Sequence, residues 1–92
     1  MNEYRIFLTD SFIRNIEKIK GKDKNLIEKK LISRIYPQLK SEPHYGNNLK
    51  KLKNYNPDTW RYRVGSYRVF YEINEENKIV SIIGISTRQN AY

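Results

Sequence analysis

The stretch "TWRYRVGSYRVFYEI", residues 59–73, decides the fold and points to the site. Two runs of alternating side chains flank Gly65-Ser66, and a two-residue loop led by glycine suits a type II′ turn, whose twist matches that of the strands it joins. The stretch therefore reads as a β-hairpin, Trp60 to Val64 and Tyr67 to Ile73. Successive side chains of a strand point to opposite faces. Trp60, Tyr62, Val64, Tyr67, Val69, Tyr71 and Ile73 then share an apolar face, and Arg61, Arg63, Arg68, Phe70 and Glu72 share the other. With that loop, Arg63 stands opposite Arg68 and Arg61 opposite Phe70. Like charges directly across a strand pair are destabilising. A bound anion reverses the sign of that cost, and the fork of a guanidinium matches phosphate oxygens. The hairpin is thus expected to carry a phosphate or other anion site.

Upstream, "YRIFLTD" reads as a strand with Tyr4, Ile6 and Leu8 on one face. Thr9, Asp10 and Ser11 supply N-cap chemistry for a helix whose Phe12, Ile16 and Ile19 recur at i, i+4 and i+7, with Ile13 alongside. Gly21 is expected as its C-cap. Asp23 is expected to cap a second helix, with an apolar stripe of Ile27, Leu31 and Ile35 widened by Leu26 and Ile32. Glu28, Lys29, Lys30 and Arg34 face water or a partner. Pro37, within "RIYPQLK", is expected to end or kink this helix just before it. "SEPHYGNNLKKLKNYNPD" reads as a loop tucked down by Leu49 and Leu52, with Lys50, Lys51 and Lys53 exposed.

After the hairpin and the polar turn "NEENK" comes a last strand, "KIVSIIGIS", apolar on both faces. A register with Ser81, Ile83 and Ile85 toward the helices puts Gly84, Ser86 and Arg88 on the arginine face. Gly84 there leaves room for close approach to the backbone. The expected fold class is α+β: a small β-α-α-β-β-β domain over residues 1–92, its helical hairpin packed on one face of a mainly antiparallel sheet.

Composition narrows the function. Eighteen Lys and Arg against ten Asp and Glu leave a net charge of +8, which suits a polyanionic partner: nucleic acid, an acidic protein or an anionic membrane surface. Cysteine is absent and histidine occurs once, as His44. That leaves no disulfide framework, no thiolate site and no HExxH or EF-hand spacing. No glycine-rich phosphate loop precedes a helix, and no apolar run nears the about 20 residues that span a bilayer. A cytoplasmic protein needing neither metal nor cofactor is expected. Metal-free RNA cleavage fits these limits. The ribose 2′-OH attacks the adjacent phosphate, and arginines stabilise the extra negative charge. Tyr92, Glu72 and His44 are the groups available for proton transfer.

The chain resembles the RelE/ParE superfamily of type II toxin–antitoxin toxins over essentially its whole length. The resemblance rests on the order of elements, on "LKKLKN" before the sheet, on "WRYRVGSYRVFYEI" and on the closing "RQNAY". It implies a ribosome-dependent endoribonuclease of the RelE type, cutting mRNA in the A site without metal. Arg61 and Arg63 match the paired basic positions of the first hairpin strand, and Arg68 matches the arginine of the second. Arg88 and Tyr92 match the basic residue and tyrosine of the C-terminal segment. Lys50, Lys51, Lys53 and Phe70 are then candidates for mRNA and ribosomal RNA contacts. Many relatives read "GHR" where this chain has Ser86-Thr87-Arg88, so that histidine is missing. The resemblance leaves two alternatives open: a ParE-like inhibitor of DNA gyrase without nuclease activity, or an inactive antitoxin-binding member. Each implies an acidic antitoxin that folds on the basic surface.

Overall fold

The computed structural model describes residues 3–87. Its elements in chain order are β1 (Arg5–Leu8), α1 (Asp10–Lys18), α2 (Gly21–Lys30), α3 (Tyr36–Ser41), β2 (Leu49–Lys51), β3 (Thr59–Val64), β4 (Tyr67–Asn74) and β5 (Ile79–Thr87). The sheet runs β1-β5-β4-β3-β2, with β1 parallel to β5 and every other pair antiparallel. The architecture is α+β, as the hairpin pattern implied.

One core joins the helices to one face of the sheet. Phe12, Ile27, Leu31, Ile35 and Leu39 from the helical side pack with Tyr62, Val69, Tyr71, Val80 and Ile82. Removal of such apolar surface from water is the main force holding the layers together. Polar groups at this interface are matched. The Tyr71 hydroxyl donates to the Pro43 carbonyl at 2.7 Å, and burial pushes its pKa up. Thr9 Oγ1 accepts from the Phe12 amide at 3.2 Å, capping α1, and donates to the Ile82 carbonyl at 2.8 Å, tying that cap to β5.

Several sequence expectations change. Gly21 does not close the first helix: α1 ends at Lys18, and Gly21, at φ 66°, opens α2. Asp23 lies in the first turn of α2, one turn too far in to act as its N-cap. Of the two outcomes expected at Pro37, the chain does not leave the helix there; the helix changes its hydrogen bonding just before the proline. A π-helical turn over Leu31–Ile35 precedes it, in which the Tyr36 amide donates to the Leu31 carbonyl. Proline has no N–H to give and its ring crowds the carbonyl of residue i−4; the wider turn accommodates both, and the chain continues into α3. Leu26 and Ile32, expected in the apolar stripe, are 52% and 70% exposed. The loop before the hairpin contains β2, too short to leave a periodic signature.

The last strand also departs from expectation. Phe70 pairs with Gly84 but Tyr71 pairs with Ile82, so Ile83 is an extra, bulged residue. Above the bulge, Ile85 faces the helices and Gly84 and Ser86 face away, as expected. Below it the parity inverts: Val80 and Ile82 enter the core, and Ser81 faces away beside Glu72.

Candidate functional site

The hairpin turn sets the site. Gly65 has φ 59° while Ser66 stays at negative φ, the combination a type II′ turn needs. Such a turn makes Val64 and Tyr67 the first hydrogen-bonded pair, so Arg63 and Arg68 fall in a non-hydrogen-bonded pair, with Cα atoms about 4.5 Å apart. Neighbouring strands extend the pattern. One row crosses the open face as Lys50, Arg61, Phe70 and Gly84, and the next as Arg63, Arg68 and Ser86. Lys50 thus stands on the arginine face beside Arg61, where sequence alone placed it in a loop.

Among the described residues these cations have no ion-pair partner. The ion pairs there are those of His44 with Glu42 and Glu75, Lys51 with Asp58, and Lys78 with Glu75. None involves Arg61, Arg63, Arg68 or Lys50. Arg68 Nε and Ser86 Oγ, on directly paired residues, are shielded from solvent and have no hydrogen-bond partner among the described residues. A buried donor left unsatisfied costs about 1–3 kcal/mol, and more when charged. Partial burial, together with the charges of Arg63 and Arg68, lowers the pKa of the Arg61 guanidinium. Guanidinium groups, a hydroxyl and the glycine Gly84 thus share one face of the sheet, a set whose forked donors match phosphate oxygens in kind.

The other expected residues divide. Phe70 lies on this face but is 2% exposed, so it forms part of the floor and presents no ring for a base to stack on. Phe7, which pairs with Ser81 on the same face, is 58% exposed, and an exposed aromatic ring is the kind of surface on which a base can stack. Sequence reasoning missed it because the bulge hid which face β1 and the lower half of β5 share. Lys51 pairs with Asp58 at 3.1 Å. Lys53 is exposed in the turn after β2. Arg88 and Tyr92 lie outside the described residues.

His44 stands on the other side of the sheet. Its ring packs edge-on against Trp60 at 5.5 Å between centroids, and its nitrogens meet Glu42 Oε2 at 3.1 Å and Glu75 Oε2. That places it among the helix-facing residues, away from the arginines. Among the described residues no group of three His, Cys, Asp or Glu side chains is placed to hold a metal ion, and no helix is long and apolar enough to cross a membrane.

A small basic α+β domain with an uncompensated arginine face is the class these features define. The family described as the ParE toxin of type II toxin–antitoxin system, parDE, matches residues 6–92. The chain belongs to this toxin family, within the RelE/ParE superfamily. No curated protein matches it. Among solved structures, the toxin–antitoxin complex RelBE2 from Mycobacterium tuberculosis is similar, at TM-score 0.71 and 23% identity, over 94% of this chain and 99% of that one. The archaeal RelE–RelB complex from Pyrococcus horikoshii aligns at TM-score 0.61 and 24% identity, over 99% and 100%. The intact RelBE complex of E. coli aligns at TM-score 0.64 and 21% identity, over 91% and 95%. At such identities the likeness is one of fold.

Proposed function

We propose that this toxin is a metal-independent endoribonuclease that cuts mRNA in the ribosomal A site and so arrests translation. The observation that carries the reading is the unpaired cluster of Arg61, Arg63 and Arg68, with Arg68 Nε and Ser86 Oγ buried and unsatisfied beside one another. In the reaction the ribose 2′-oxygen attacks the adjacent phosphorus. A 2′-O–P bond forms as the P–O5′ bond breaks, leaving a 2′,3′-cyclic phosphate and a 5′-hydroxyl. Charge grows on the non-bridging oxygens as the phosphorus passes through five-coordination. Donors already aimed at those oxygens stabilise that state more than the ground state. Arg68 and Ser86 donate to the oxygens, Arg61 and Arg63 supply field, and Lys50 and Phe7 hold the strand on either side. Glu72 is the carboxylate on this face for taking the 2′-proton. The resemblance to RelE-type toxins assigns Tyr92 to proton transfer at the leaving oxygen and Arg88 to charge stabilisation.

A second reading, inhibition of DNA gyrase, is favoured by one observation: the matching family carries the ParE description. That activity requires no reacting groups on the arginine face. In either reading the partner is an acidic antitoxin encoded to neutralise the toxin, consistent with the toxin–antitoxin complexes among the similar structures. The apolar channel between α1 and α2, about 460 Å³ and edged by the exposed Ile13 and Ile32, suits an amphipathic helix of that antitoxin.

Brief expression followed by 5′-end mapping of cellular messages separates the readings. Cuts in translated frames that vanish when initiation is blocked are expected. Intact messages with arrested supercoiling by purified gyrase would replace the first reading with the second.

A further inference from the structure

A second basic cleft opens at the corner of the sheet, next to the arginine face but outside it. Its volume is about 180 Å³, and Lys30, Arg34 and Arg63 line it together with Asn48 and Gly65. The fold builds it from three interruptions. β2 begins at Leu49, so β3 loses its neighbour beyond Tyr62, and Asn48 closes the ladder by accepting from the Arg63 amide at 2.9 Å. Val64 and Gly65 therefore run on as an uncovered edge. Lys30 is the last residue of α2, and Arg34 belongs to the π-helical turn that precedes Pro37. π-helical turns recur at functional sites, and this one carries a guanidinium to the open corner. The lining holds three cations and no carboxylate. None of the three makes an ion pair among the described residues. The adjacent acid, Asp23, accepts from the Tyr67 hydroxyl at 3.1 Å in the neighbouring groove.

We infer that this cleft holds a second backbone phosphate of the RNA bound on the arginine face, so that the strand bends around the sheet edge at Arg63. Arg63 joins the two positions, because it pairs with Arg68 in the first and lines the second. Two phosphate positions on either side of one arginine give the strand a direction and a register, which a single anion site cannot do. Phosphate contacts of this kind position a strand without reading its bases. The inference rests on the reading that the arginine face binds RNA.

The test separates the two claims. Affinity for a fluorescein-labelled 2′-O-methyl oligouridylate, which cannot be cut, is measured against salt for the wild type and for the Lys30→Ala/Arg34→Ala double variant. Loss of one phosphate contact makes the slope of log K against log salt shallower by about 0.7 for a single strand. A shallower slope of that size, with unchanged thermal melting, supports the cleft whether or not the wild type cuts messages. Should the alanine pair disturb the helix, the Lys30→Gln/Arg34→Gln pair gives the same reading. An unchanged slope overturns the inference even where message cutting is intact. So does an RNA slope left unchanged while antitoxin affinity falls, which would make the cleft a peptide site. Wild-type protein that binds no oligouridylate removes both the cleft and the reading of the face beneath it.

Discussion

Arg68, on β4, and Glu75, in the turn that follows it, belong to clusters wired in opposite ways. Around Glu75 every charge is answered. Its carboxylate accepts from the Tyr4 hydroxyl at 2.7 Å and meets the His44 ring, while Lys78 stands 3.8 Å away and lies over the Tyr4 ring at 5.0 Å from its centroid. Glu42 holds the other nitrogen of His44. Around Arg68 no ion pair forms among the described residues, and its Nε lacks a hydrogen-bond partner there. One cluster is closed by its own hydrogen bonds and ion pairs; the other is the cluster proposed above to meet RNA. The first cluster ties β1, the loop after α3 and the β4–β5 turn into one end of the molecule. The second adds repulsion to a hairpin that its turn and apolar face already specify.

The sharpest way to break that contrast is to delete charge from the arginine cluster. Arg68→Ala should lower message cutting by about 10²–10³-fold, the usual loss on removing one donor from a developing oxyanion. The Arg61→Ala/Arg63→Ala/Arg68→Ala variant should abolish growth arrest. Both should melt at or above the wild-type temperature, because a like-charge pair and a buried unsatisfied donor disappear together. Growth arrest by a folded triple variant would show that the arginines serve neither RNA nor its cleavage.

The same operation on the answered cluster should give the mirror result. Glu75→Ala removes the acceptor of the Tyr4 hydroxyl in a part-buried hydrogen bond and should cost about 0.5–1.5 kcal/mol of stability while leaving cleavage unchanged. Its pH dependence has a definite sign. Mainly through the Tyr4 hydrogen bond, and despite burial, the Glu75 carboxyl titrates below its ordinary 4.5. A depressed carboxyl contributes stability above that ordinary value and loses it as pH falls through the native one. Tyr4 is the converse case, pushed up to about 12 by the same hydrogen bond and then by burial. Its contribution is present below its ordinary 10.0 and fades as pH rises toward 12. Melting curves of the wild type should therefore weaken at both extremes, and Glu75→Ala should flatten both limbs.

How far sequence reaches into this molecule follows from the range of the interactions involved. The hairpin register and the arginine face are legible because a two-residue Gly-Ser loop sets the parity of both strands at once. Ser86 is legible in face but not in consequence, since nothing in a linear pattern says that its hydroxyl will be buried next to Arg68. The lower half of β5 is not legible at all: an apolar strand carries no alternation to betray the bulge at Ile83. Lys50 and the corner cleft depend on where β2 begins and where a π-helical turn leaves Arg34, both settled by tertiary packing. The His44 cluster needs contacts between the loop after α3 and a turn far along the chain, beyond any local signal.

The finest version of the comparison lies within β2 itself, in two adjacent lysines that look alike in sequence. Lys50 shares the arginine face with Arg61 and has no ion-pair partner among the described residues. Lys51 points the other way and pairs with Asp58, both side chains more than half exposed. An exposed pair of that kind is worth about 0–1 kcal/mol and is already satisfied. Lys50→Ala should therefore weaken oligouridylate binding and make its salt slope shallower by about 0.7, one phosphate contact. Lys51→Ala should leave the slope alone and shift melting only slightly. Equal effects from the two would mean that RNA feels the overall positive charge of the domain, and the parity of the strand would then carry no functional meaning.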